Sequence, residues 1–191
     1  MIELKVFDDM DQITEEEINR LLPLVSEERR EEAMRYKHRF GRFTGLKSYV
    51  MLREMLEQRG ISHPFHIERN EHGKPFLVHH PDVHFNLSHC KNGIAVVVDN
   101  APVGIDIESF RHIDDALLRY TMNSSEIETI NTSENPLATF IAFWTKKEAV
   151  LKLRGTGIST DLHHVLDGIG YRLETHICHE KSYAWSVAYY D

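Results

Sequence analysis

The hydrophobic positions along the chain follow two periodicities in turn. Between about 40 and 58, Leu46, Tyr49, Val50, Leu52, Met55 and Leu56 recur at three- and four-residue spacings, which predicts a helix that Gly60 stops. Two shorter helices precede it. One spans 14–22, with Thr14 as N-cap and Glu17 three residues on; the other opens at Ser26 and carries 29–34. Beyond Gly60 the period falls to two. Val83, Phe85 and Leu87 alternate with His84, Asn86 and Ser88, the pattern of a half-buried strand. Lys91-Asn92-Gly93 supplies a turn, 94–98 (IAVVV) reads as a buried central strand, and a second turn at 100–102 leads to renewed alternation over 103–108. Together these predict an antiparallel meander.

The second half repeats the plan, with helices at 114–120, 125–130 and 136–153, then strands at 163–166, 171–176 and 183–190. Helices followed by strands, twice over, predict an α+β fold of two similar lobes related by a pseudo-twofold, each a small antiparallel sheet packed with helices. The expected division is 1–101 and 102–191. No low-complexity tract or long linker interrupts either half.

Composition narrows the class. In 191 residues, 41% are hydrophobic, enough for a packed core, and 22 Lys plus Arg face 30 Asp plus Glu. A net charge of −8 argues against a general nucleic-acid binder. The longest apolar runs, 94–98 and 140–144, are five residues each, so no membrane-spanning helix fits. The first residues, MIELK, lack the features of a signal peptide. Cys90 and Cys178 form no CxxC, which excludes a disulfide framework and a thiolate zinc site. The expectation is a cytoplasmic, reduced, soluble protein. Thirteen histidines match no zinc spacing.

Four segments carry chemistry. In Gly104-Ile105-Asp106-Ile107-Glu108, strand alternation sends Ile105 and Ile107 inward and projects Asp106 and Glu108 together, about 7 Å apart. Two such carboxylates suit magnesium, a hard cation usually completed by substrate phosphates, and Gly104 on the same face leaves room beside them. An ordinary solvated strand face fits the pentapeptide equally well. In the 136–153 helix, Leu137, Ile141 and Trp144 form a core stripe that Glu148 and Lys152 continue at spacings of four. These two either pair with each other, a contact worth about 0.3–0.5 kcal/mol, or serve a ligand. Ser88 and His89 can offer a hydroxyl and an imidazole to phosphate, but adjacent strand residues face opposite ways, which argues against a hydrolase dyad. Lys74, in the turn Asn70-Glu71-His72-Gly73-Lys74-Pro75, can reach an anion. The window 29–53 also holds eight bases against Glu31 and Glu32, a local excess that attracts anions.

The ordered set NEHGKP, FNLSH, GIDIE and WTKKEAVLK resembles the 4′-phosphopantetheinyl transferases, specifically their two-lobed, surfactin-synthetase-activating type. The resemblance covers roughly 20–160. It implies transfer of the phosphopantetheine arm of coenzyme A to a serine of an apo acyl or peptidyl carrier protein, with release of adenosine 3′,5′-bisphosphate. It further implies a Mg2+ ion held by Asp106, Glu108 and Glu148, and Glu148 as general base directly or through a water. Lys152, Lys74, Ser88 and His89 are expected at the coenzyme A phosphates, and Thr44, with Arg39 and Arg42, near the 3′-phosphate. Two positions depart from the pattern: Cys90 stands where many relatives carry Ser, and Glu32 where some carry a lysine. Basic residues within 29–47 and residues near 114–122 are expected to dock the carrier, and two lobes in one chain point to a monomer. The rival functions are a non-catalytic paralogue that binds carrier protein or coenzyme A, and a magnesium-dependent phosphohydrolase.

Overall fold

The computed structural model describes residues 2–155, 161–168 and 170–190. Its fold is α+β, built from two three-stranded antiparallel sheets, a two-stranded ribbon and helices. The first sheet has the order β1-β5-β4, from β1 (Glu3–Phe7), β4 (His84–Cys90) and β5 (Gly93–Asp99). The second has the order β6-β8-β7, from β6 (Val103–Ser109), β7 (Tyr171–Cys178) and β8 (Tyr183–Tyr190). Each begins with a strand, passes through helices, and returns as a hairpin whose last strand pairs with the first. The repeated plan is thus a repeated connectivity. β1 lay outside the sequence reading, although Ile2, Leu4 and Val6 alternate with Glu3, Lys5 and Phe7 and pack between the sheets.

The expected helices form. Thr14 caps α1 (Glu15–Leu21) by accepting from the Glu17 amide, and Ser26 caps α2 (Glu27–Met34) by accepting from that of Arg29. α3 (Arg39–Gln58) ends at Arg59, and Gly60 takes the positive φ of 80° that reverses the chain. Its apolar face buries Phe43, Leu46, Leu52, Met55 and Leu56 against Phe85, Ile94, Val96 and Val98. Each such side chain contributes about 1.5–3 kcal/mol. α6 (Pro136–Arg154) lies on the second sheet, and α4 (Asp115–Thr121) and α5 (Ser124–Thr132) share an apolar cluster with it. The ribbon β2 (Ile67–Arg69) and β3 (Pro75–Leu77) brackets the Asn70–Lys74 turn.

Three expectations are corrected. β6 does not continue a meander: it leaves β4 and β5 to pair with β8, Asp106 opposite Ser186. The reason lies in β5, which is buried on both faces. Ile94, Val96 and Val98 meet α3, while Ala95 and Val97 pack on Val103, Ile105 and Ile107. For the same reason β4 is not half-buried; Asn86 and Ser88 are buried as well as Phe85. Asn86 Oδ1 accepts from the Ile105 amide at 3.1 Å, a side chain standing in for a ladder bond between the sheets. Finally, the segment 163–166 is no strand. It lies in a 3₁₀ helix, Leu162–Asp167, capped by Asp161 and burying Leu162 and Val165 three residues apart.

Candidate active site

The site forms where β6, β4 and α6 converge. Ile105 and Ile107 enter the core, as strand alternation requires, and the opposite face meets α6. Gly104 does not open space for a ligand there. A Cβ at this position would collide with the Ala149 carbonyl and the Leu153 backbone, so the glycine lets α6 lie directly on β6. That close approach brings α6 side chains to the carboxylates two and four residues further along.

Asp106, nine-tenths buried, receives two donors on Oδ1: Lys152 Nζ at 2.6 Å and Ser88 Oγ at 2.8 Å. Lys152 Nζ also donates to Ser88 Oγ at 3.0 Å, closing a three-residue network across three elements. Lys152 therefore does not form the helical pair with Glu148. Instead Glu148 Oε1 is buried with no hydrogen-bond partner. Burial first, and then repulsion from Asp106, push its carboxyl above the ordinary range. Glu108 is raised by burial too, against the pull of the Ser109 amide on Oε1 at 3.0 Å and of Arg111 4.0 Å from Oε2. The three acids thus interact electrostatically, although among the described residues no three His, Cys, Asp or Glu side chains form a ready metal cage.

A cleft of about 260 Å³ opens beside this network, lined by Lys74, Asn86, Leu87, Glu148, Leu151 and Lys152 among others. The Asn70–Lys74 turn is fastened to it: Asn70 Oδ1 accepts from the amides of His72 and Lys74, and its Nδ2 donates to the Gly155 carbonyl. Lys74 Nζ donates to the carbonyls of Val103 (3.2 Å) and Leu153 (3.1 Å), and burial lowers its pKa to about 8. His89 faces away from Ser88, its ring 6.1 Å from that of Phe40, and desolvation followed by Lys152 lowers its pKa.

Thr44, Arg39 and Arg42 are not brought to the cleft. Thr44 is buried, its hydroxyl donating to the Gly41 carbonyl one turn back. Arg42 donates to the carbonyls of Tyr36 and Lys37, and Arg39 lies exposed 4.0 Å from Glu15. Both departures from the motif pattern are quiet. Cys90 is buried between the sheets, and Glu32 pairs with Arg29 at 2.9 Å.

Sequence reasoning missed Asn86, Asn70 and Lys147. Lys147 is fully buried, donating to Glu126 Oε2 (2.7 Å) and to the carbonyls of Thr121 (2.7 Å) and Leu162 (2.8 Å). Its place seven residues after Phe140 and three before Val150 was the available signal, since that spacing puts it on the buried face.

Comparison with known proteins accords with this arrangement. The family model of the 4′-phosphopantetheinyl transferase superfamily matches residues 102–189, the part that holds β6 and α6. The "4'-phosphopantetheinyl transferase psf-1" of Bacillus pumilus is 34% identical over 165 residues, covering 84% of this chain and 70% of that protein. The "4'-phosphopantetheinyl transferase Sfp" of Bacillus subtilis (strain 168) is 28% identical, covering 78% and 69%. The "4'-phosphopantetheinyl transferase gsp" of Aneurinibacillus migulanus is also 28% identical, covering 83% and 68%. A likeness that runs through both sheets, joined to an acid–lysine network on the matched segment, places the chain in the 4′-phosphopantetheinyl transferase superfamily.

Proposed function

We propose that the protein transfers the 4′-phosphopantetheine arm of coenzyme A to a serine of an apo carrier protein. The observation that carries this reading is the buried, unpartnered Glu148 Oε1 beside the Asp106–Lys152–Ser88 network. The reaction forms a bond from the carrier serine Oγ to the phosphorus bearing pantetheine and breaks the diphosphate bridge. Adenosine 3′,5′-bisphosphate leaves with the bridging oxygen. Such a transfer asks the protein to place an in-line nucleophile and to neutralise oxygen charge. The chain then needs no nucleophile of its own, because the attacking hydroxyl belongs to the partner.

Glu148 accepts the serine proton, directly or through a water; burial and the neighbouring Asp106 make it more basic than a free carboxylate. Lys152, Lys74, Ser88 and His89 receive the phosphates. The three mutually repelling acids fit a divalent cation, and Asp106, Glu108 and Glu148 would hold Mg2+. When bound, such an ion offsets charge on the diphosphate. Arg39 and Arg42, which lie off the cleft and would have to reorient to reach it, are assigned to the 3′-phosphate, and residues 114–122 with the basic face of 29–47 to the carrier-docking surface. The reading further takes 1–101 and 102–191 as lobes, a monomer as the working unit and the cytoplasm as its location. Among the described residues no helix is long and apolar enough to cross a membrane.

Incubation of purified protein with coenzyme A, Mg2+ and a panel of apo carriers tests the reading, with nucleotide release followed by chromatography. Carrier-dependent release of adenosine 3′,5′-bisphosphate is the expected result. Release at the same rate without carrier would identify a phosphohydrolase instead, and release under neither condition would leave a binding protein.

A further inference from the structure

Two features of the acid cluster pull against each other. Three carboxylates that raise one another's energy, one with a buried unpartnered oxygen, call for a cation. Yet among the described residues they are not gathered into a cage, and while Arg111 lies 4.0 Å from Glu108 at the edge, the cation that reaches Asp106 is Lys152. Its ammonium sits 2.6 Å from Asp106 Oδ1, the best-buried carboxylate of the three, and not on Glu148 one helical turn earlier on its own helix. Lys152 is not locked in that position. Its side chain is 29% exposed and lines the wall of the cleft. Its four-carbon stem is flexible, so a change of rotamer would carry the ammonium from Asp106 to an anion in the cleft.

Resting on the transferase reading of the same acids, we propose that Lys152 is a stand-in cation. It neutralises Asp106 in the nucleotide-free protein and yields that oxygen only when a diphosphate in the cleft draws the ammonium away. A divalent ion that enters beside the retained ammonium meets like-charge repulsion in a poorly solvated site. An ion that enters after the ammonium has moved meets three acids of which only Glu108 keeps a nearby cation, Arg111 at 4.0 Å. Ion and coenzyme A therefore bind with positive coupling, and linkage requires the ion to tighten coenzyme A by the same factor. Ser88 completes the device. Its hydroxyl bridges Lys152 Nζ and Asp106 Oδ1 and so holds the carboxylate in place while the ammonium moves.

The test is Mn2+ binding to the full chain, followed by electron paramagnetic resonance. Wild type, Lys152→Met, Lys152→Gln and the double variant Asp106→Asn with Lys152→Met are each titrated without nucleotide and with saturating coenzyme A, and Mn2+ bound by coenzyme A alone is subtracted. Both Lys152 variants are expected to bind Mn2+ at least tenfold more tightly than wild type in the absence of nucleotide. They are also expected to lose most of the tightening that coenzyme A confers on wild type, and Asp106→Asn combined with Lys152→Met is expected to cancel the gain. If wild type binds Mn2+ with coenzyme A but the Lys152 variants bind it no more tightly than wild type without nucleotide, the stand-in role is overturned and the transferase reading survives. If wild type binds no Mn2+ under either condition, the cation reading of the acids falls, and this inference with it.

Discussion

Lys147 Nζ and Glu126 Oε2 lie 2.7 Å apart with both side chains shut off from solvent, and the same ammonium also donates to the Thr121 and Leu162 carbonyls. All three of its donors are satisfied. Glu126 in turn closes the capping box of α5 with Asn123, whose side chain donates to the His163 carbonyl. One buried lysine thus ties α4, α5 and the 3₁₀ helix to α6, next to the residue that presents its carboxylate to the cleft.

Lys147→Met should cost about 3–5 kcal/mol, because it leaves the Glu126 carboxylate buried without its partner. Removing both charges in Lys147→Met combined with Glu126→Leu should recover most of that loss. Denaturant unfolding of the two variants measures the difference, and equal destabilisation of the single and double variants would contradict the pairing.

Gly104→Ala should destabilise by at least about 3 kcal/mol, since the obstacle is the α6 backbone and not a side chain that can swing aside. Gly45→Ala provides the contrast. Its added methyl would meet only the Ala33 Cβ at an ordinary 3.8 Å, so a helix-interior alanine should gain about 0.5–1 kcal/mol. Thermal melts of both proteins check the opposite signs.

The lowered pKa of Lys74, about 8, sets a pH dependence. Below that value the ammonium is charged and attracts phosphate; as pH rises through it the charge is lost, so coenzyme A should bind more weakly on the alkaline side. KM for coenzyme A is expected to rise above about pH 8 in wild type, and this rise should be flattened in Lys74→Met.

Glu148→Gln should stabilise the fold while abolishing transfer. The carboxyl is raised in the native state by burial and by Asp106, so the native protein binds its proton more readily than the unfolded chain. Stability contributed by that proton is present at low pH and lost as pH rises through the raised pKa. The variant does not titrate there, and its advantage should therefore grow from acid to neutral pH. Unfolding free energies compared at pH 4 and pH 7 test the sign.

Much of this was legible from local pattern. Thr14 and Ser26 announced their helices because a cap is a short-range hydrogen bond, and the alternation around Asp106 told which residues face inward. What pattern could not give was the partner of each face. β5 reads as a buried strand, but nothing in IAVVV says that its second face is covered by β6, which then leaves the sheet. The same gap explains Gly104, whose missing side chain admits a helix backbone and not a ligand, and Thr44, whose side of α3 is turned inward. Leu162 and Val165 lie three apart, a 3₁₀ spacing too short to separate from a strand without the Asp161 cap.

Intact mass spectrometry of apo carrier proteins incubated with coenzyme A and Mg2+ tests the central claim most directly, with wild type set beside Asp106→Asn and Glu148→Gln. Wild type should add a single phosphopantetheine arm to at least one carrier, and neither variant should add it at a comparable rate. Modification by both variants as fast as by wild type, or by none of the three proteins across the panel, would contradict the assignment of these acids to the transfer.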